Sequence, residues 1–115
     1  MSRICVYLGS REGNSPAFRQ AAHTLGTALG QRGHTLVYGG ARVGLMGELA
    51  NAALNAGGSV IGVMPDHLVE REQAHFGLTE LIRVPNMHER KATMAANADA
   101  FIALPGGIGT FEEPF

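Results

Sequence analysis

The sequence predicts an α/β fold, a doubly wound parallel sheet with helices on both faces. Three observations carry that prediction. Short β-branched runs alternate with longer segments whose apolar residues recur at helical spacing. Glycine stops most of these runs: sixteen of 115 residues are glycine, about twice the ordinary ~7%. The rhythm holds along the chain without an internal repeat or a low-complexity tract, so residues 1–115 read as a single domain.

Arg3–Leu8 is short, β-branched and stopped by Gly9-Ser10, which makes it a buried strand. After a polar loop, Ser15-Pro16 reads as an N-cap followed by proline at the first helical position. Phe18, Ala22, Leu25 and Leu29 then form one helix face, and Gly33 sits where a left-handed C-cap is needed. His34–Tyr38 is the second strand, stopped by Gly39-Gly40. Leu45, Leu49, Ala52, Ala53 and Ala56 make a second helical face, closed by Gly57-Gly58. Ser59–Val63 is the third strand, and Met64-Pro65 is read as its break. Residues 66–79 read as a surface loop with one short helical turn. Leu81–Val84 is a fourth strand, Asn86 caps a helix running to about Asn97, and Ala100–Leu104 is the fifth strand. Right-handed βαβ units in this order give a Rossmann-like sheet. The helix opening at Thr110 stops after a few residues, so C-terminal strands are expected to be missing and one face of strands 4 and 5 partly bare.

Composition excludes several classes. The formal net charge of −1 offers no basic excess for nucleic acid. No apolar run approaches the ~20 residues of a membrane helix, and the N-terminus shows no secretory pattern. The single cysteine, Cys5, makes no internal disulfide, so a cytoplasmic location is expected. The five histidines lack metal-ligand spacing and read as surface or structural; no metal is expected. Cys5 reads as a small buried hydrophobe, and Met46, Met64, Met87 and Met94 read as core filler.

In parallel α/β sheets, ligands bind at the carboxyl ends of the strands. Ser10, Gly39 and Gly40 fall there as candidate phosphate or ribose contacts. So does Pro105-Gly106-Gly107-Ile108-Gly109-Thr110-Phe111-Glu112-Glu113, the strongest motif. Its glycines let backbone approach a ligand, and the N–H groups of the helix that follows favour an anion. No lysine follows, so it is not a Walker loop. The bland alternative is a glycine turn with a Thr110/Glu113 capping box. Gly39–Gly47 is a second glycine-rich turn, fitting either ligand contact or tight packing, with Gly47 serving close packing on the sheet. Arg90-Lys91 lie in the first turn of a helix, where cations oppose the dipole. They fit an anionic ligand or a solvated helix face. Lys91 is the chain's only lysine.

Taken together, Pro105–Glu113, Arg90-Lys91 and Gly39-Gly-x-x-x-Gly-Leu-Met-Gly47 resemble the LOG family, cytokinin riboside 5'-monophosphate phosphoribohydrolases long labelled lysine decarboxylases. The resemblance spans essentially the whole chain, including Ile4-Cys-Val and Gly62-Val-Met-Pro65, and family members continue further. It implies hydrolysis of the N-glycosidic bond of a cytokinin nucleotide or AMP, giving free base and ribose 5-phosphate. It implies Arg90 and Glu113 as catalytic residues. Glu72, Lys91, Gly106, Gly107, Ile108, Gly109, Thr110, Phe111 and Glu112 would bind substrate. No cofactor is implied. A small-molecule nucleotide is the expected partner, with no nucleic acid or membrane. A homodimer follows from the resemblance and from the bare apolar face. Pro114 stands where an apolar helix former is expected and disfavours helical geometry at Glu113. The competing reading is a non-catalytic Rossmann-like protein that binds a nucleotide or molybdenum cofactor. A pyridoxal phosphate decarboxylase needs a Schiff-base lysine, a role open only to Lys91.

Overall fold

The computed structural model describes residues 2–8, 16–71 and 73–104; Gly9–Ser15, Glu72 and Pro105–Phe115 lie outside the described residues. The order is β1 (Arg3–Leu8), α1 (Pro16–Gln31), β2 (Thr35–Tyr38), α2 (Gly44–Asn55), β3 (Ser59–Pro65), α3 (Asp66–Val69), β4 (Glu80–Val84), α4 (Met87–Ala96) and β5 (Ala100–Leu104). Among the described residues, five strands form one sheet in the order β4-β3-β2-β1-β5, every neighbouring pair parallel. The predicted α/β class is the observed one.

Alternation along each strand sends side chains to opposite faces. Val6, Leu36, Tyr38 and Val60 pack with Leu45, Leu49 and Ala53 of α2 and with Ala22 and Leu29 of α1. On the other face Cys5, Val37, Ile61, Val63 and Val84 pack with Met94 of α4. Burying a side chain such as Leu49 contributes roughly 1.5–3 kcal/mol, so these two layers carry most of the fold's stability. The expected bare face is present at β5, where Phe101 is 51% exposed and its ring stacks on Tyr7 at 6.1 Å. It does not extend to β4: Ile82 and Val84 pack in the same cluster as Met94 of α4.

Four expectations need correction. Met64-Pro65 does not break β3; the strand runs through both, and Pro65 pairs in register with Val84. Proline's fixed φ, here −64° with ψ 146°, is extended backbone, and at the last strand position its missing N–H is tolerated. Residues 66–79 do contain the one helical turn, α3, but they are not simply surface: Ala74 is fully buried and pairs antiparallel with Ala41. Met87 is 46% exposed rather than core, because it opens α4 at the sheet's rim. Gly47 faces the carbonyl of Arg42 rather than the sheet, so its lack of a Cβ lets the preceding loop fold onto α2.

Candidate functional site

In the strand order, β1 lies between β2 and β5, so the chain reverses its direction of travel across the sheet at β1. Crevices at the carboxyl ends of strands form at such a switch point. Ser10, Glu72 and the whole Gly106–Glu113 motif lie outside the described residues. What the structure does describe is the adjoining rim, where β2 and β3 end.

Arg90 is delivered to that rim by α4. Asn86 opens the helix, its side chain accepting the backbone N–H of Glu89 at 2.9 Å. This is the N-cap the sequence predicted, and it fixes where residue 90 falls on the first turn. The guanidinium then folds back over the sheet. Its Nε donates to the Val63 carbonyl at 3.0 Å, and one terminal nitrogen donates to the Gly39 carbonyl. Arginine has five N–H donors in a planar fork. One edge of the fork is thus spent on the ends of β2 and β3, and the other terminal nitrogen donates to the Met87 sulfur at 3.8 Å. Burial pushes the Arg90 pKa down, partly offset by the neighbouring Tyr38. The two carbonyl dipoles hold a cation there that water only partly solvates, and the solvated-face alternative for Arg90 does not hold.

The Gly39 seat requires a glycine. A Cβ on residue 39 would stand 2.5 Å from the Arg90 terminal nitrogen and 3.1 Å from the Met46 sulfur. Gly40 has φ +89°, a left-handed conformation that turns the chain sharply off β2. The turn is tied on its far side. His75 N–H donates to the Gly40 carbonyl, and Arg42 N–H donates to the Gln73 carbonyl, both at 2.9 Å. Residues 73–75 therefore lie along the 40–42 turn. The structure brings Arg90 together with Gly39 and, beside it, Gly40.

Lys91 does not converge with them. It is exposed, and lines an open groove with Tyr7, His88, Ala92, Ala95 and Phe101. One residue along a helix rotates the side chain by about 100°, so neighbours 90 and 91 face different surfaces. The sequence reading missed two contributors, the Val63 carbonyl and Tyr38. The first acts through backbone and leaves no side-chain signal. Tyr38, buried at a strand end before Gly-Gly, did leave one, a hydroxyl beside the glycine turn. No group of three or more His, Cys, Asp or Glu suited to a metal occurs among the described residues.

A parallel, doubly wound sheet with a half-buried arginine at its carboxyl edge defines a Rossmann-like α/β protein with an anion-ready rim. Residues 46–115 match the family described as "Possible lysine decarboxylase", and the chain belongs to that family, the LOG family of the sequence reading. It is 54% identical over 113 residues to a cytokinin riboside 5'-monophosphate phosphoribohydrolase of Rhodococcoides fascians, covering 97% of this chain and 57% of that protein. It is 51% identical to the Arabidopsis thaliana phosphoribohydrolase LOG1, covering 96% of this chain and 52% of that one. The chain thus spans about half the length of these relatives. Among solved structures it is similar to the molybdenum cofactor binding protein of Rippkaea orientalis (TM-score 0.80, 27% identity, 97% of this chain and 67% of that one). It is also similar to the Moco carrier protein of Chlamydomonas reinhardtii (TM-score 0.79, 25% identity, 97% and 67%).

Proposed function

We propose that this chain carries the site of a nucleoside 5'-monophosphate phosphoribohydrolase. It hydrolyses the N-glycosidic bond of a cytokinin riboside 5'-monophosphate or of AMP to free base and ribose 5-phosphate. The observation that carries the reading is the Arg90 seat: a guanidinium fixed on two strand ends at the carboxyl edge of the sheet. The roughly 50% identity to named phosphoribohydrolases supplies the reaction.

Cleavage of a glycosidic bond builds positive charge on the ribose. In this reading Glu113 stabilises that charge or activates the attacking water. Arg90 binds the nucleotide's negative charge, a charge-assisted contact. Gly106, Gly107, Ile108, Gly109, Thr110, Phe111 and Glu112 form the phosphate-binding segment, with Glu72, Ser10, Gly39 and Gly40 around it. Residues 1–115 act as one nucleotide-binding domain, in the cytoplasm, as a homodimer. The family's description as a decarboxylase finds no support in these residues. Lys91, the one lysine, sits on an exposed groove away from the Arg90 rim.

The second reading is nucleotide or molybdenum cofactor binding without hydrolysis, favoured by the two cofactor-binding structures above. Their 25–27% identity is about half that to the phosphoribohydrolases, which places it second. Chromatography of AMP and isopentenyladenosine monophosphate incubated with the protein separates the two. The proposal expects free base and ribose 5-phosphate, lost in Arg90→Ala. Tight nucleotide binding with no base released favours the second reading.

A further inference from the structure

Tyr38 neighbours the Arg90 charge, and its hydroxyl also reaches into the turn on which Arg90 sits. Its ring is fully buried in the layer between the sheet and helices α1 and α2. From there the hydroxyl donates to the Ala41 carbonyl at 2.7 Å, closing the segment 38–41 into a loop. Within that loop Gly39 offers its carbonyl to Arg90, and Gly40 takes φ +89°. Two adjacent glycines leave a backbone with many accessible conformations. The loop is pinned from outside by residues 73–75 and from the core side by the Tyr38 hydroxyl.

We propose that Tyr38 is a positioning residue for Arg90. Its bond to Ala41 holds the Gly39-Gly40 turn in the one shape that keeps the Gly39 carbonyl under the guanidinium. The inference deepens the hydrolase reading, and its relevance to catalysis rests on that reading; the seating of Arg90 does not. Tyr38 touches no substrate in this account. Its effect on turnover passes through Arg90.

The test uses Tyr38→Phe, which keeps the buried ring and removes the hydroxyl. Arginine-directed dicarbonyl labelling, mapped by mass spectrometry, reads each arginine separately. In the wild type, Arg90 should be modified several-fold more slowly than the exposed Arg83. In Tyr38→Phe its rate should rise toward that of Gly39→Ala, where the seat is blocked sterically, while Arg83 stays unchanged. With AMP as substrate, kcat/KM should fall about tenfold, the scale of one lost hydrogen bond. Fast labelling of Arg90 in the wild type overturns the proposal. So does slow labelling that persists in folded Tyr38→Phe. If the wild type releases no base, the hydrolase reading fails, and the labelling alone still decides whether Tyr38 seats Arg90.

Discussion

Arg90 is held by two backbone carbonyls, and a side chain at Gly39 would displace it from them. The atoms that a Cβ there would meet are the ends of two flexible side chains, Arg90 and Met46. Gly39→Ala should therefore destabilise no more than Arg90→Ala, read as the urea midpoint, while base release falls as far as in Arg90→Ala. In Gly40→Ala, an alanine forced to φ +89° costs about 1–2 kcal/mol, which equilibrium unfolding would register directly. Arg90→Ala removes a donor from both the Val63 and the Gly39 carbonyl, so it should also destabilise by about 1–3 kcal/mol. At this scale the sequence was half legible. An adjacent Arg-Lys pair in a helix's first turn pointed to an anion. The partners that orient Arg90 are carbonyls, which every residue possesses and no sequence pattern marks.

Elements were legible where local rules decide them. Strands β1 and β5 end where they were expected because glycine or proline follows at once. Helix α1 was readable from its four-three-four apolar spacing, and α4 from its Asn86 cap. Asn86→Ala should cost ~0.5–2 kcal/mol in urea denaturation, the usual value of a cap. What local rules could not show is pairing across distance. The Ala41–Ala74 bridge joins residues in a loop and a turn, neither with a period to betray it. The contact between α1 and α2 is similar. Gly30 approaches so near to α2 that an added Cβ would stand 2.6 Å from the Ala53 carbonyl and 2.8 Å from the Ala56 methyl. In the sequence Gly30 is only a weak helix residue. In the structure it sets the spacing of two helices. Gly30→Leu should separate them and destabilise by ~1–3 kcal/mol, an overpacking penalty visible as a lower melting temperature.

At the scale of the whole molecule, alkaline stability follows from two groups on the α4 side of β1. Burial pushes the Cys5 thiol from 9.0 up to about 11, against a smaller opposing pull from Tyr7. Burial likewise raises the Tyr7 phenol from 10.0 to about 12, with Cys5 adding to the rise. Both groups are neutral when protonated, and the unfolded chain loses its protons first. Their contribution is therefore fully present below pH 9 and is lost as pH climbs through about 11 and 12. The urea midpoint should stay level to pH 9 and fall above it. In Tyr7→Phe the fall between pH 10 and 12 should be shallower. The Tyr7–Phe101 stack also marks the exposed face of β5. If that face pairs with a second copy, as the homodimer proposal has it, light scattering should give the mass of two chains, and Phe101→Glu should halve it.

Whether Arg90, seated on the ends of β2 and β3, works in a site that splits nucleoside monophosphates is decided by one side-by-side assay: adenine released from AMP by the wild type and by Gly39→Ala, at protein concentrations matched for folded fraction. Steady release by the wild type and loss of at least ~100-fold in Gly39→Ala are expected, the scale of one lost electrostatic contact to the transition state. Equal release by both proteins, or none by the wild type, would contradict that role.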